Sequence, residues 1–224
     1  MFEFKYKGKY DCLIPKDVFE KYVQDLYNDM KTRFNVTWSP KKFIVIMEMD
    51  PKKQQGWGGT RDITVEYNIF KLTLQLHGFP KKEQTFDILQ IFFGNILRHE
   101  MLHFFIPYVK DNSCWSEGVT DFMTYWYTDT ISENLSRLQR EYKEITDSDY
   151  KAHKYGYITG FKKMNSLYTE NKSVINDMKR IIKDFNMNSD SKKKEYSSSD
   201  IIEYNPKFKT FFIGKCNIHA LHEL

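Results

Sequence analysis

The chain has 224 residues, 41% of them hydrophobic and 29% charged, which suits one compact domain or a domain with a small appended subdomain. With 18 Phe, 15 Tyr and 4 Trp it has enough apolar area to bury that disorder throughout is excluded. The net charge of +4 comes from 34 Lys and Arg against 30 Asp and Glu, and only 6 of the basic residues are arginine; phosphate and base recognition favour arginine forks and clustered charge, so nucleic acid is not the expected partner.

A membrane span needs about 18 consecutive apolar residues, and the densest run here, Phe43 to Met49, already contains Glu48. No span is expected, and the protein reads as soluble. The opening MFEFKYKGKY lacks the apolar core of a secretory signal. Cys12, Cys114 and Cys216 are widely spaced and odd in number, so they cannot form a closed disulfide framework. They read as buried or free thiols, which leans toward a reducing, cytoplasmic compartment.

In chain order, Phe2, Phe4 and Tyr6 alternate with polar residues as a half-buried strand requires. Asp17 to Phe34 reads as an amphipathic helix with Val18, Tyr22, Leu26 and Met30 on its apolar face. Phe43 to Met49 has the composition of a central strand, and Ile63 to Tyr67 and Ile69 to Leu76 show period-two alternation. Between them Gln54 to Thr60 holds Gly56, Gly58 and Gly59 and reads as a loop. After Pro80 a helix is expected from the N-cap Thr85 to Phe105, stopped by Pro107; it is apolar nearly all round and so should be buried. Further helices are expected over 115–128, 131–145, 149–167 and 172–186, then a polar loop over 188–199 and an ordered tail with Phe208, Phe211, Phe212 and Ile213.

The apolar helix contains His99-Glu100-Met101-Leu102-His103. Side chains at i and i+4 leave one face of a helix about 5–6 Å apart, so His99 and His103 can grip one Zn²⁺ while Glu100 reaches a water on it. A catalytic zinc site has three protein ligands and an open position. Glu117, fourteen residues beyond His103 in Cys114-Trp115-Ser116-Glu117-Gly118-Val119-Thr120-Asp121-Phe122, is the natural third ligand. Asp121, one turn later on the same face, can accept the free ring N–H of a liganding histidine.

The H-E-x-x-H motif followed by W-x-E-G-x-x-D-F over 99–122 resembles the gluzincin metallopeptidases, the thermolysin and aminopeptidase N group, and most of all their glycyl aminopeptidase-like branch. The resemblance implies that His99, His103 and Glu117 bind one zinc per chain, that Glu100 is the general base and acid, and that Asp121 stands behind the first histidine. Tyr157-Ile158-Thr159-Gly160 is similar to that group's Y-x-K-G, which makes Tyr157 the oxyanion donor, with Tyr155 and His153 as competitors. The stretch from Gly58 to Val65 resembles the glycine-rich substrate loop and edge strand, with Gly58 and Gly59 against substrate, although the glutamate that would hold a free amine is absent. Phe208 to Gly214 is similar to the F-F-x-x-x-x-G stretch that closes such domains.

The expected fold is α+β and thermolysin-like. A mixed sheet with one helix (1–80) precedes a mainly helical part (81–224), with the zinc site between them, as a single minimal catalytic domain. The expected activity is zinc-dependent hydrolysis of a peptide or protein substrate, as an endopeptidase or an unusual exopeptidase. An extended substrate would pair with the edge strand over Ile63 to Leu76. The alternative is a catalytically inactive zinc-binding or protein-interaction module on the same fold.

Overall fold

The computed structural model describes residues 2–8, 13–37, 39, 42–50, 58–62, 69–77, 92–112, 114–132, 135–137, 140, 148–186 and 196–214. By packing, the chain divides into two units, Met1–Phe104 with Asn186–Lys194, and Phe105–Phe185 with Glu195–Leu224. Helices and a small mixed sheet make the fold α+β. Among the described residues no helix is long and apolar enough to cross a membrane.

The first unit holds strands β1 (Phe2–Lys7), β2 (Lys42–Asp50), β3 (Gly58–Asp62) and β4 (Ile69–His77), in the order β1-β2-β4-β3, with helix α1 (Lys16–Arg33) between β1 and β2. The β1–β2 and β2–β4 pairs are parallel, with Phe2 opposite Phe43 and Phe43 opposite Phe70; β3 runs antiparallel to β4. Parallel neighbours need a crossover, and α1 supplies it. In β2, Val45, Ile46 and Met47 are buried in succession. Successive side chains of a strand point to opposite faces, so the central strand is covered on both.

Helix α1 forms where expected, and of the four positions expected on its apolar face Leu26 and Met30 are buried while Val18 and Tyr22 are not. Its buried stripe is Phe19, Val23, Leu26, Tyr27 and Met30, whereas Val18 is 51% exposed and Tyr22 is only partly buried. Four-residue steps alone drift about 40° per step around a helix of 3.6 residues per turn; steps of four and three hold one face. The helix ends in a Schellman turn, with Asn35 at φ 52° and the amides of Asn35 and Val36 donating to Thr32 O and Lys31 O.

Two sheet expectations differ from the structure. Gly58, Gly59 and Thr60 are strand, not loop, because they pair with Gln75, Leu74 and Thr73 of β4, respectively. The expected edge strand over Ile69 to Leu76 lies inside the sheet as β4, flanked by β2 and β3, so among the described residues the last strand on that side is Gly58–Asp62. The other half of that expectation, Ile63 to Tyr67, falls outside the described residues, as do Gln54 to Trp57 and the helix start at Thr85.

The first unit also holds α2, the helix of the histidines, Leu97–Phe105, up to Phe104. In the second unit, α3 (Thr120–Tyr127), α4 (Ser148–Glu170) and α5 (Val174–Asn186) are followed by α6 (Ser198–Tyr204), a 3₁₀ turn Pro206–Phe208 and the short α7 (Lys209–Phe212). Phe122 of α3 lies edge-on to Phe161 and Tyr168 of α4, and α5 buries Val174, Ile175, Met178, Ile181 and Ile182. Residues 131–132, 135–137 and 140 are helical, the rest of 131–145 lying outside the described residues. The expected polar loop 188–199 is shorter at its far end. Tyr196 bridges to Val109, and Ser197 caps α6 in a reciprocal box with Asp200, which turns S-S-S-D into a helix start. Beside it Asp111 accepts both the amide and the hydroxyl of Ser198, at 2.8 and 2.7 Å.

Candidate metal centre

Helix α2 is preceded by a π turn, Phe92–Ile96. Leu97, Met101, Leu102 and Phe105 are fully buried. The ring of Phe104 lies 5.8 Å from Phe43 of β2 and 5.9 Å from Tyr27 of α1, rings that also pack on Phe2 of β1. These contacts fix the helix against sheet and α1. His99 and His103 are 8% and 6% exposed. Their rings stand edge-on, centroids 4.6 Å apart at 86°, with the two Nε2 atoms 3.0 Å apart. Glu100 beside them is partly buried. Arg98 turns back along the chain, its Nη1 donating to Gly94 O at 2.7 Å.

Glu117 sits on a second π turn, Cys114–Val119, which leads into α3. Such i→i+5 turns are rare and recur at functional sites. Trp115 anchors this one. Its amide donates to Asn112 Oδ1 at 2.9 Å, its indole N–H to Pro107 O at 3.0 Å, and its ring is fully buried. Thr120 closes the turn with a hydroxyl bond to Ser116 O. Asp121, 8% exposed, lies one helical turn beyond Glu117.

On its other side the turn meets α4 backbone to backbone. A Cβ on Gly118 would lie 2.4 Å from Gly160 Cα, and one on Gly160 would lie 2.1 Å from Cys114 O. Only two glycines permit this approach. Gly160→Ala is therefore expected to destabilise the protein by about 1–3 kcal/mol, since inserting a methyl here forces backbone apart. At Gly94, where the nearest atom is Arg98 Nη1 at 3.7 Å, alanine should leave a urea melt unharmed. Equal melts for the two variants would contradict the close packing.

The cysteine reading is corrected here. Cys114 is disulfide-bonded, and both residues able to pair with it, Cys12 and Cys216, lie outside the described residues.

His99, His103 and Glu117 each offer one ligand atom, and these atoms all lie within 4.8 Å of one another. No protein-family model matches the chain, and no curated protein matches it. Two imidazole nitrogens and a carboxylate oxygen are the donor set of a three-ligand zinc site. The cluster can hold a metal ion.

The remaining candidates are less gathered. Tyr157 is partly buried on α4, three residues before Gly160, and Tyr155 is 37% exposed on the same helix. The side chain of His153 lies outside the described residues. Gly58 and Gly59 lie on strand β3, opposite Gln75 and Leu74. The anchoring role of Trp115 and the close approach of Gly118 and Gly160 leave no more mark in the sequence than a tryptophan and a glycine flanking a glutamate.

Proposed function

We propose that this chain is a zinc-dependent peptidase of gluzincin type. The observation that carries the reading is the convergence of His99, His103 and Glu117 donor atoms within 4.8 Å, with Glu100 on the same helix. The two histidines and Glu117 hold the ion. When bound there, zinc supplies Lewis acidity: it brings the pKa of water to about 7 and polarises a carbonyl. Glu100 takes the proton of the attacking water and passes it to the leaving amine, for which a carboxylate placed one residue from a ligand is suited. Tyr157 donates to the developing oxyanion. Asp121 orients a liganding imidazole by accepting its second ring N–H, which fixes the tautomer and raises donor strength.

The substrate is a peptide or protein chain. Strand β3, the last strand of the sheet among the described residues, is the place where an extended chain adds to the sheet. Gly58 and Gly59 on that strand let substrate backbone come close. Incubation with a mixed peptide library should give cleavage products that vanish with chelator and return with zinc. A chain that holds zinc but cleaves nothing would instead be a binding module.

A further inference from the structure

The turn that bears Glu117 is held from outside, by a segment about ninety residues further along the chain. Phe212 stacks on Trp115 at 5.3 Å and 19°, while Phe208 and Phe211 meet the same indole edge-on at 5.5 and 5.4 Å. Three phenylalanines from Pro206–Phe212 thus box one side chain two residues from the ligand. The segment is itself pinned at both ends. The Lys163 ammonium of α4 donates to the carbonyls of Phe211 and Ile213 at 2.9 and 2.8 Å. These are the open carbonyls at the end of α7, where a cation is favoured. Lys207 donates at 3.0 Å to Asp177 of α5, a carboxylate only 4% exposed.

A π turn is a rare feature, found mostly as a single turn, and this one is braced by contacts from outside itself. Here it is trapped between the glycine contact with α4 and the phenylalanine box. We infer that the tail Pro206–Ile213, acting through Trp115, is the positioning element that sets the carboxylate of Glu117 for the metal. This rests on the metal reading above. Its consequence is that affinity for zinc depends on residues that touch no ligand. Phe212 is the informative one, because it is only partly buried and its loss spares the core, whereas Phe208 and Phe211 are fully buried.

The test is zinc affinity by competition with a chromophoric chelator, with the Co²⁺ absorption spectrum as a second readout, for wild type, Phe212→Ala, Phe212→Tyr and Lys163→Met. Phe212→Ala should bind zinc about 10–100-fold more weakly, the range typical when supports of a metal ligand are lost. Its Co²⁺ bands should shift and its metal-free melt stay close to wild type. Phe212→Tyr, which keeps the stacked ring, should restore affinity, and Lys163→Met should weaken it in the same direction. As a control, Phe185→Leu, in the separate cluster with Tyr196 and Tyr204, should leave affinity unchanged. A wild type that binds one zinc beside a Phe212→Ala that binds equally tightly overturns the positioning role alone. Equal loss of affinity in Phe185→Leu also overturns it, by showing a general effect of stability. A wild type that takes up no zinc overturns the metal reading and this inference with it.

Discussion

Glu100→Gln is expected to keep zinc and lose peptide hydrolysis by about 10²–10⁴-fold, the range over which a positioned general base acts. The substitution is close to isosteric, and Glu100 is only partly buried on α2, so the helix and the histidines on it should be undisturbed. What changes is the lone pair. An amide cannot accept the proton of water, nor return one to a leaving amine, whereas the donor atoms of His99, His103 and Glu117 stay where they are. Metal content and cleavage rate of the same preparation check both halves of the expectation. A Gln variant that retains zinc and full turnover would remove the base role from Glu100 and move it to another group. A variant that loses zinc as well would mean that Glu100 supports the ligands rather than the reaction.

What was legible in the sequence was local. His99 and His103 could be placed together because i, i+4 geometry is a property of any helix, and the structure puts their Nε2 atoms 3.0 Å apart. Glu117 could be nominated because it begins the next helical segment, though nothing in its spacing announced a π turn. A regular four-residue step through Val18, Tyr22, Leu26 and Met30 meets the buried face of α1 only at Leu26 and Met30, because Phe19, Val23, Leu26, Tyr27 and Met30 are the residues that share a side. Gly58 and Gly59 read as loop from intrinsic preference, which disfavours glycine in strands. Pairing with β4 overrode that preference.

Features that depend on distant partners were not legible. An odd cysteine count forbids a closed set but permits one pair, so the disulfide of Cys114 is not legible in it. Trp115 and Phe212 are 97 positions apart in sequence, and no periodicity links them. Yet both are needed to explain why Glu117 holds its place, as are Gly118 and Gly160, whose lack of a side chain matters only because another backbone comes within reach. The chemistry of this site lies in short spacings, and its rigidity in contacts that only the folded chain brings together.

His103→Ala should abolish stoichiometric zinc binding. A zinc site of this type relies on three protein donors, and removing one leaves a histidine and a carboxylate. Loss of a mere support costs about 10–100-fold in affinity, so loss of a ligand must exceed that. One zinc per chain in the wild type should fall to a small fraction after desalting. The helix itself should survive, because alanine is the strongest helix former and the anchoring contacts of α2 are made by Phe104 and its neighbours rather than by His103. Hence a loss of metal with an unchanged far-UV spectrum would locate the effect at the site. The opposite outcome is equally informative. In a metal-free protein two Nε2 atoms 3.0 Å apart require one ring to donate its N–H to the other. If neither wild type nor variant takes up zinc when it is supplied, His99 and His103 are such a hydrogen-bonded pair in a buried helix, and the chain is better understood as an interaction domain.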